Sequence, residues 1–510
     1  MLRKPLQIKV AGINNEQVSV ADLLIVYYQK GWQSDTVLYG IVIKENTDMS
    51  YYILSPSTQL CGYNKLPFGI YSARIMKTEF LNREQFAVLL DCDGNTDIDE
   101  KKLSDDVRVF FNHNIANKNI LPCEKGQQLK SYQKYQYYDN QFKGGVQWSI
   151  TGKCNYRCKH CFMSANVGKF GEPSLEKCIK IIGEIADCGI KQVSITGGEP
   201  LIRGDFWQII DELINHNILI PTIYTNGALV DRALIDGLTS RKIRPTFQIS
   251  YDGPGWHDWL RGIDGAEKMA LDAFRLLREY GISTSSSMVL HKRNINTIRD
   301  TVRTLRDVGC SSLKINVASP TGQWINQPEY FISNEDGFEQ YLKYIPQYFE
   351  DGTPIDIILD GAFQYNTKEK SFSIPFDKGT VEKYDNVPVC GSLRENMYLS
   401  PERVVIPCMS MVDEKVSKQY PNAFMTPLKE ILTESSYTRA MTCKVSEYMA
   451  HNPECVTCRY TYNCKGGCRA GGTLGGGDYL APDMKACLYF KNGWFERFKA
   501  MGEKYAAQLS

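Results

Sequence analysis

The chain has 510 residues, of which 43% are hydrophobic, and its 59 Lys and Arg residues nearly balance its 58 Asp and Glu residues. This length predicts about three domains, and the balanced charge argues against electrostatic capture of nucleic acid or of an anionic membrane surface. No run approaches the ~18 apolar residues of a membrane span, and residues 1–10 lack a signal-peptide core, so we expect a cytoplasmic protein. Seventeen cysteines in a reducing compartment predict metal or cluster ligation rather than disulfides.

Residues 1–140 predict a separate α+β domain. The segments with strand character are 37–43, 51–54 and 71–76. Residues 83–90 have a helical pattern that ends before Asp93-Gly94.

Residues 141–350 predict a second domain with an α/β fold. Short β-branched runs alternate there with amphipathic segments of helical period, which is the pattern of repeated βα units around a parallel sheet. The predicted strands are 146–150, 192–196, 222–225, 246–251, 284–290 and 312–317. Helices are predicted at 175–188, after the N-cap Ser174, and at 266–280, before Gly281.

Three cysteines follow the first of these strands with C-x3-C-x2-C spacing: Cys154, Cys158 and Cys161. A loop there can place three thiolates around one face of an iron–sulfur cluster and leave one iron open. Zinc is an alternative, but it would need a fourth ligand, and His160 is poorly placed for that role beside Cys161. A set of buried free thiols is the other alternative.

The cysteine spacing resembles the signature loop of radical S-adenosylmethionine (SAM) enzymes. The resemblance implies a partial (β/α)6 barrel and a 4Fe–4S cluster whose open iron binds the amino and carboxylate groups of SAM. It also implies reductive cleavage of SAM to a 5′-deoxyadenosyl radical that abstracts hydrogen from substrate. An electron donor such as flavodoxin or ferredoxin is implied as a partner.

A second motif strengthens the resemblance. Gly197, Gly198, Glu199 and Pro200 end the second predicted strand and resemble the GGE motif, which in this family holds the amino group of SAM. Glycines let the backbone approach a ligand closely. A simple turn at the end of the strand is the alternative.

Other implied SAM contacts lie at the carboxyl ends of later strands, where barrel sites are built. By resemblance these candidates are His160, Asn226, Ser250 and Asp252. His160 stands where the family usually has an aromatic residue against adenine, and Ser250 and Asp252 would lie near the ribose and carboxylate of SAM. A turn at Asp252-Gly253-Pro254 is the alternative for the last pair. Arg261 and Asn294 also match recurring positions, without an assigned chemistry.

A linker rich in Asp, Lys, Gly and Pro is predicted at 351–385, and a third domain, residues 386–510, holds the second cysteine field. Its densest part has C-x2-C-x5-C-x3-C spacing and resembles the SPASM domain, which carries two auxiliary 4Fe–4S clusters. The resemblance assigns Cys390, Cys408 and Cys468 to the first cluster and Cys455, Cys458, Cys464 and Cys487 to the second. Zinc remains the alternative for any isolated CxxC pair.

The chain departs from the SPASM pattern in two places. Residues 391–407 lack the cysteine that usually follows the first one, and Arg403 stands where the family usually has glycine. The first auxiliary cluster is therefore expected to have an open iron. Cys443 could be a distal ligand, or it could be a buried thiol.

The resemblance implies an oxidoreductase that matures a ribosomally made precursor peptide, forming a thioether or another crosslink. Residues 1–140 would then capture the leader of the precursor, although they could instead only cover the barrel. The alternatives are a formylglycine-generating sulfatase maturase and a non-catalytic iron–sulfur electron-transfer or scaffold protein. The sequence assigns no general acid or base.

Overall fold

The computed structural model describes residues 51–379 and 387–506. The strand predicted at 37–43 lies outside these residues. The chain divides into two compact units, one formed by Met1–Pro56 with Arg83–Gln133 and the other by Ser57–Asn82 with Lys134–Ser510. Residues 57–82, which the sequence groups with the amino-terminal domain, therefore belong to the larger unit.

The elements of the described chain are named in chain order. The strands are β1 Tyr51–Leu54, β2 Thr58–Tyr63, β3 Leu66–Ser72, β4 Lys77–Phe80, β5 Asp93–Asp97, β6 Ile120–Pro122, β7 Gln136–Tyr138, β8 Gly145–Ser149, β9 Val193–Thr196, β10 Thr222–Thr225, β11 Thr246–Ser250, β12 Thr284–Leu290, β13 Ser312–Val317, β14 Asp356–Leu359, β15 Phe363–Asn366, β16 Ser371–Ser373, β17 Asn396–Leu399 and β18 Val405–Ile406. The helices are α1 Arg83–Leu90, α2 Asp105–Ala116, α3 Leu175–Asp187, α4 Phe206–Asn215, α5 Arg232–Ser240, α6 His257–Arg261, α7 Ala266–Glu279, α8 Ile298–Asp307, α9 Asn334–Glu350, α10 Ser392–Glu395, α11 Glu414–Ser417, α12 Leu428–Thr433, α13 Ser436–Thr442, α14 Val445–His451, α15 Pro453–Val456, α16 Thr461–Cys464, α17 Arg469–Gly476, α18 Met484–Lys491 and α19 Trp494–Ala506.

The smaller unit is built on a three-stranded antiparallel sheet with β1 between β5 and β6. Helix α1 has the bounds that the sequence predicts and buries Phe86 and Leu89. Strand β5 then begins with an irregularity in its pairing with β1, in which Gly94 has φ +82° and the Asp93 carboxylate accepts a hydrogen bond from Asn95 N at 2.7 Å. Asp and Gly suit this bend because one offers a local acceptor and the other tolerates the left-handed backbone.

A four-stranded sheet of order β4-β3-β2-β7 lies in the larger unit. The strand predicted at 71–76 is shorter than expected, because β3 ends at Ser72 and the chain then turns into β4. Met76 takes a φ of +52° in that turn, which a continuous strand would not allow.

The main sheet of the larger unit has eleven strands in the order β16-β15-β14-β13-β12-β11-β10-β9-β8-β17-β18. Strands β8 to β14 are parallel, and the helices between them complete six βα units, which confirms the predicted (β/α)6 order. Helix α3 shows how the sequence forms these units. Ser174 caps it by accepting from Lys177 N, and Cys178, Ile181, Ile182 and Ile185 form its buried stripe.

The linker predicted at 351–385 needs correction, because β14 to β16 lie within it. Strand β14 pairs in parallel with β13 and forms a hairpin with β15. Residues in β14 and β15 alternate between buried and half-buried positions, a period-two pattern that the neighbouring Asp, Gly and Pro residues obscured.

Strand β17 pairs in parallel with β8 at the other side of the first βα unit. This pairing brings the chain around Cys390 and Cys408 to the strand that precedes the first cysteine loop. Short helices make up most of the remaining chain to residue 506. Within the described ranges, no helix combines the length and the apolar character that a membrane crossing requires.

Candidate functional site

The loop that carries Cys154, Cys158 and Cys161 begins where β8 ends. Its three thiols are all half-buried. Backbone N–H groups of Tyr156 and Ala165 donate to the sulfurs of Cys154 and Cys161 at 3.3 and 3.4 Å. Such N–H···S contacts stabilise thiolates, so the donor set fits an iron–sulfur cluster.

Burial disfavours ionisation of two of these thiols in the absence of metal. Burial, with smaller contributions from Cys158, Glu199 and Cys161, raises the pKa of Cys154 to about 12 against the effect of the Tyr156 N–H. Burial also raises the pKa of Cys158, whereas Arg261 lowers it. Cys154 and Cys158 would therefore release protons when a metal centre binds them.

The glycine segment after β9 packs directly on the start of this loop. Gly198 N donates to the Thr151 carbonyl at 2.8 Å, and Glu199 N donates to the Lys153 carbonyl at 2.9 Å. A Cβ atom at Gly198 would lie 2.1 Å from the Lys153 oxygen. Glycine is therefore required at this position by the contact between the two backbones.

We expect Gly198→Ala to lower the iron bound at the cysteine loop and to reduce SAM cleavage about 100-fold, because a shift of about 1 Å in a site can cost that much. Gly183→Ala is the matched control, since a Cβ there meets no described atom within 4 Å in α3. Wild-type iron content and SAM cleavage in Gly198→Ala would contradict the packing role.

The Glu199 carboxylate connects the ends of β9 and β10. It is fully buried and accepts hydrogen bonds from Asn226 N at 2.7 Å and Thr225 Oγ1 at 2.9 Å. Burial raises the pKa of Glu199 to about 7, against the lowering effect of these donors. Asn226 in turn donates to the Asn155 side chain at 2.8 Å, so the end of β10 is tied to the cysteine loop.

Asp252 lies at the centre of a buried polar cluster after β11. Its carboxylate accepts from Arg261 Nε at 2.7 Å and from Val289 N at 3.0 Å, and lies 3.1 Å from His257 Nδ1. Burial alone would raise the pKa of Asp252, but Arg261 and His257 hold it well below its ordinary value. Asn294 donates to the Asp252 carbonyl at 3.0 Å.

Helix α6 joins this cluster to the cysteine loop. Arg157 N and Lys159 N donate to the carbonyls of Arg261 and Leu260 at 3.1 and 2.9 Å. The Arg261 guanidinium also lies 3.9 Å from Cys158 Sγ. Arg261 thus holds the loop through its backbone and places a positive charge beside one of the three sulfurs.

The remaining candidates for SAM contacts are His160, Ser250 and Pro200. His160 is half-buried, and its Nδ1 atom has no hydrogen-bond partner among the described residues. Burial, aided by Arg261, lowers the pKa of His160 to about 3, so its ring is neutral. Ser250 ends β11 half-buried, and Pro200 is buried at the start of a 3-10 turn.

Cys408 lies near both Cys390 and Cys468, and we call these three residues the first group. Cys390 precedes α10, Cys408 follows β18, and Cys468 immediately precedes α17. Burial raises the pKa of Cys408, and the proximity of Cys468 and Cys390 adds to the increase. Cys468 N donates to the Asp483 carboxylate at 2.8 Å, which fixes the start of α17.

The second group lines a single cavity of about 230 Å³ and consists of Cys455, Cys458, Cys464 and Cys487. Burial raises the pKa of Cys464 to about 11, with Lys378 lowering it and Cys487 raising it. Three of the thiols come from the segment 453–464 and the fourth from α18. The cavity therefore joins residues that are separate in sequence.

Cys443, the possible distal ligand, and Arg403, which stands where the SPASM pattern has glycine, are both buried. Cys443 is buried in a cluster with Val389 and Val445, and its thiol donates to the Lys444 carbonyl at 3.5 Å. Arg403 is buried at a φ of +63° and stacks on Phe424 at 4.3 Å. That backbone conformation favours glycine, and the stacking of the guanidinium offsets part of its cost.

Among residues 51–379 and 387–506, no three His, Cys, Asp or Glu side chains converge on a point that could hold a single metal ion.

A known protein family matches the part of the chain that includes the first cysteine loop. Residues 148–305 match the Radical SAM superfamily. The chain contains a radical SAM domain. The matched residues run from β8 to α8 and include the cysteine loop, the glycine segment and the Asp252 cluster.

Relatives and solved structures agree with the radical SAM fold. The chain is 25% identical over 353 residues to the AdoMet-dependent heme synthase of Nitratidesulfovibrio vulgaris, which covers 68% of this chain and 92% of the relative. It is 24% identical over 265 residues to the antilisterial bacteriocin subtilosin biosynthesis protein AlbA of Bacillus subtilis, covering 51% and 54%. The structure of Streptococcus suis SuiB bound to precursor peptide SuiA matches with a TM-score of 0.58 at 15% identity, covering 86% and 99%.

Sequence reasoning missed part of the radical SAM domain. It had no role for Arg261 or Asn294 and did not single out His257, although all three surround Asp252. Their sequence positions carry no motif, because their contacts arise only when α6 and β12 pack beside the loop. The short spacing from Asp252 to His257 was the one local signal available.

Proposed function

We propose that the protein is a radical SAM maturase that abstracts hydrogen from a ribosomally made precursor peptide. The observation that carries the proposal is the presence, in one chain, of a radical SAM loop, two further cysteine groups and a separate amino-terminal unit. Similarity to AlbA, a bacteriocin biosynthesis protein, supports a peptide substrate. We expect the enzyme to work in the cytoplasm with an electron donor such as flavodoxin or ferredoxin.

In this proposal Cys154, Cys158 and Cys161 hold a 4Fe–4S cluster, and SAM binds beside it. When bound, the cluster and SAM supply a carbon radical that removes hydrogen from the substrate. The SAM-binding residues are His160, Gly197, Gly198, Glu199, Pro200, Asn226, Ser250 and Asp252. The contacts of Glu199, Asn226 and Asp252 support a positioning role, because each fixes a strand end or helix against the loop.

We assign one auxiliary 4Fe–4S cluster to each of the two cysteine groups. The cavity of about 230 Å³ supports the second assignment, since all four of its proposed ligands line it. The first group supplies three thiols, which leaves a position open to a substrate cysteine. Soft thiolates suit iron–sulfur centres, so a thioether is the product that we favour.

The smaller unit would bind the leader of the precursor. Strand β6 pairs with β1 on one side, and its other side has no strand partner among the described residues. Such an edge can accept an extended peptide as an added strand. Binding of the leader and generation of the radical would then reside in different units.

We expect a variant with residues 83–133 replaced by a Gly-Ser linker to bind the precursor much more weakly and to cleave SAM normally in its absence. This design keeps residues 57–82 and 134–138, whose strands belong to the larger unit. Fluorescence anisotropy with labelled precursor measures binding, and chromatography of 5′-deoxyadenosine measures cleavage. Equal loss of both activities would show that the smaller unit only covers the barrel.

Mass spectrometry tests the bond formed. The probes are peptides encoded by any short open reading frames found near the gene, each treated with enzyme, SAM and reductant. A loss of two hydrogen atoms that survives reductant and blocks cysteine alkylation is expected for a thioether. The same loss with every cysteine still alkylatable would point to a carbon–carbon or carbon–oxygen crosslink.

A small-molecule substrate is the second candidate, and one observation favours it. The match to the AdoMet-dependent heme synthase covers 92% of that relative. It leaves about a third of this chain unmatched, because it covers 68% of it. Turnover of a heme precursor, with no change to any candidate precursor peptide, would favour this second function.

A further inference from the structure

Lys143 is a fully buried lysine beside the first cysteine group. It lies just before β8 and has an exposure of 0%. Its ammonium donates to the Leu393 carbonyl, lies 3.8 Å from Met441 Sδ and sits 5.3 Å from the centre of the Tyr437 ring. None of these described contacts is an anion, and a buried charge without a counter-ion is costly.

The ionisable groups near Lys143 identify what could balance it. Burial lowers the pKa of Lys143 well below its ordinary value, and Glu395, Cys390 and Cys408 act in the opposite sense. Glu395 is exposed to solvent, which screens its charge. Lys143 also bonds the Leu393 carbonyl, three residues after Cys390, so the first cysteine group is a nearby source of negative charge within the protein interior.

Lys378 is a second lysine that contacts this region. Its ammonium donates to the carbonyls of Val389 at 3.1 Å and Gly467 at 2.6 Å. Its backbone N–H donates to the Asn463 carbonyl at 2.9 Å. These three acceptors immediately precede Cys390, Cys468 and Cys464 in the sequence, so one lysine contacts segments of both cysteine groups.

The charge of Lys378 also reaches both groups. Burial lowers the pKa of Lys378, while Cys390, Cys464 and Cys468 oppose that effect. Lys143, by contrast, has neighbours only from the first group among the described cysteines. The two lysines thus differ in which cysteines they influence.

We propose that Lys143 and Lys378 are positioning residues whose positive charges balance an anionic cluster at Cys390, Cys408 and Cys468, and that Lys378 also serves the second group. This inference rests on the proposed function, which places clusters at both groups. A nearby positive charge favours the more negative, reduced form of a cluster and so raises its reduction potential. Loss of either lysine should therefore lower that potential.

The test is an anaerobic redox titration of the reconstituted holoenzyme, followed by electron paramagnetic resonance. We expect Lys143→Met to make reduction of one auxiliary cluster about tenfold less favourable, a shift of about 59 mV for one electron. Lys378→Met should shift both auxiliary clusters. Lys499→Met is the matched control, because it removes the same charge from an exposed position on α19 and should shift neither.

A Met variant could lose a cluster, and its potential could then not be measured. Iron content is therefore also compared with that of the charge-retaining variants Lys143→Arg and Lys378→Arg. Loss of about four irons in a Met variant, with retention in the matching Arg variant, supports the charge role. Bound clusters with wild-type potentials in both Met variants would overturn it, as would equal iron loss in the Met and Arg variants. A wild type that binds iron only at the radical SAM loop would refute the auxiliary clusters themselves, before any lysine is changed.

Discussion

Replacing Cys154, Cys158 and Cys161 together with Ala is expected to abolish formation of 5′-deoxyadenosine. The three thiols are the only sulfur ligands that the radical SAM loop offers, and an alanine side chain cannot hold iron. The enzyme would be reconstituted and reduced anaerobically with SAM, and the product would be measured by chromatography. Iron at the two other cysteine groups should remain, because their ligands lie elsewhere in the chain.

Cys310→Ala is the control for the loss of a cysteine outside the proposed cluster sites. Cys310 is buried between α8 and β13, and its thiol lies 3.2 Å from the Ser312 carbonyl oxygen. This variant should cleave SAM at the wild-type rate. If the triple variant also cleaved SAM normally, the loop would not be the site of that reaction.

With three clusters, the wild type should bind about twelve irons per chain. Replacing Cys455, Cys458, Cys464 and Cys487 with Ala should remove one of these clusters and leave about eight irons. Cleavage of SAM without peptide should persist, because the radical SAM loop is unchanged. The measurement is iron and zinc analysis after anaerobic reconstitution. Close to four irons with one or two zincs in the wild type would show that the carboxy-terminal cysteines form a zinc module.

Local patterns predicted the parts of the fold in which one face of an element is buried. Strands β10, β12 and β13 and helix α1 have the predicted bounds, and α3 and α7 differ by one residue at their ends. Their periodicity is strong because each packs one face on the core. The hairpin β14–β15 was missed, since its two short strands stand among Asp, Gly and Pro residues that usually mark loops.

The sequence could not predict which elements pair when they are far apart in the chain. The partner of β8 on one side is β17, which lies more than two hundred residues later in the chain. Residues 57–82 join the larger unit through contacts that no local pattern encodes. The resemblance to the SPASM domain supplied the proposed grouping of the cysteines, but the lysines near them, Lys143 and Lys378, belong to segments without a motif.

The most direct test of the central claim follows hydrogen from the peptide to SAM. A candidate precursor peptide, chosen from short open reading frames found near the gene, would be made with deuterium at its carbon-bound positions and turned over with enzyme, SAM and reductant. Abstraction from the peptide predicts deuterium in 5′-deoxyadenosine and a matching loss from the modified peptide, by mass spectrometry. Unlabelled 5′-deoxyadenosine, formed at the same rate with or without the peptide, would contradict the assignment of this peptide as the substrate.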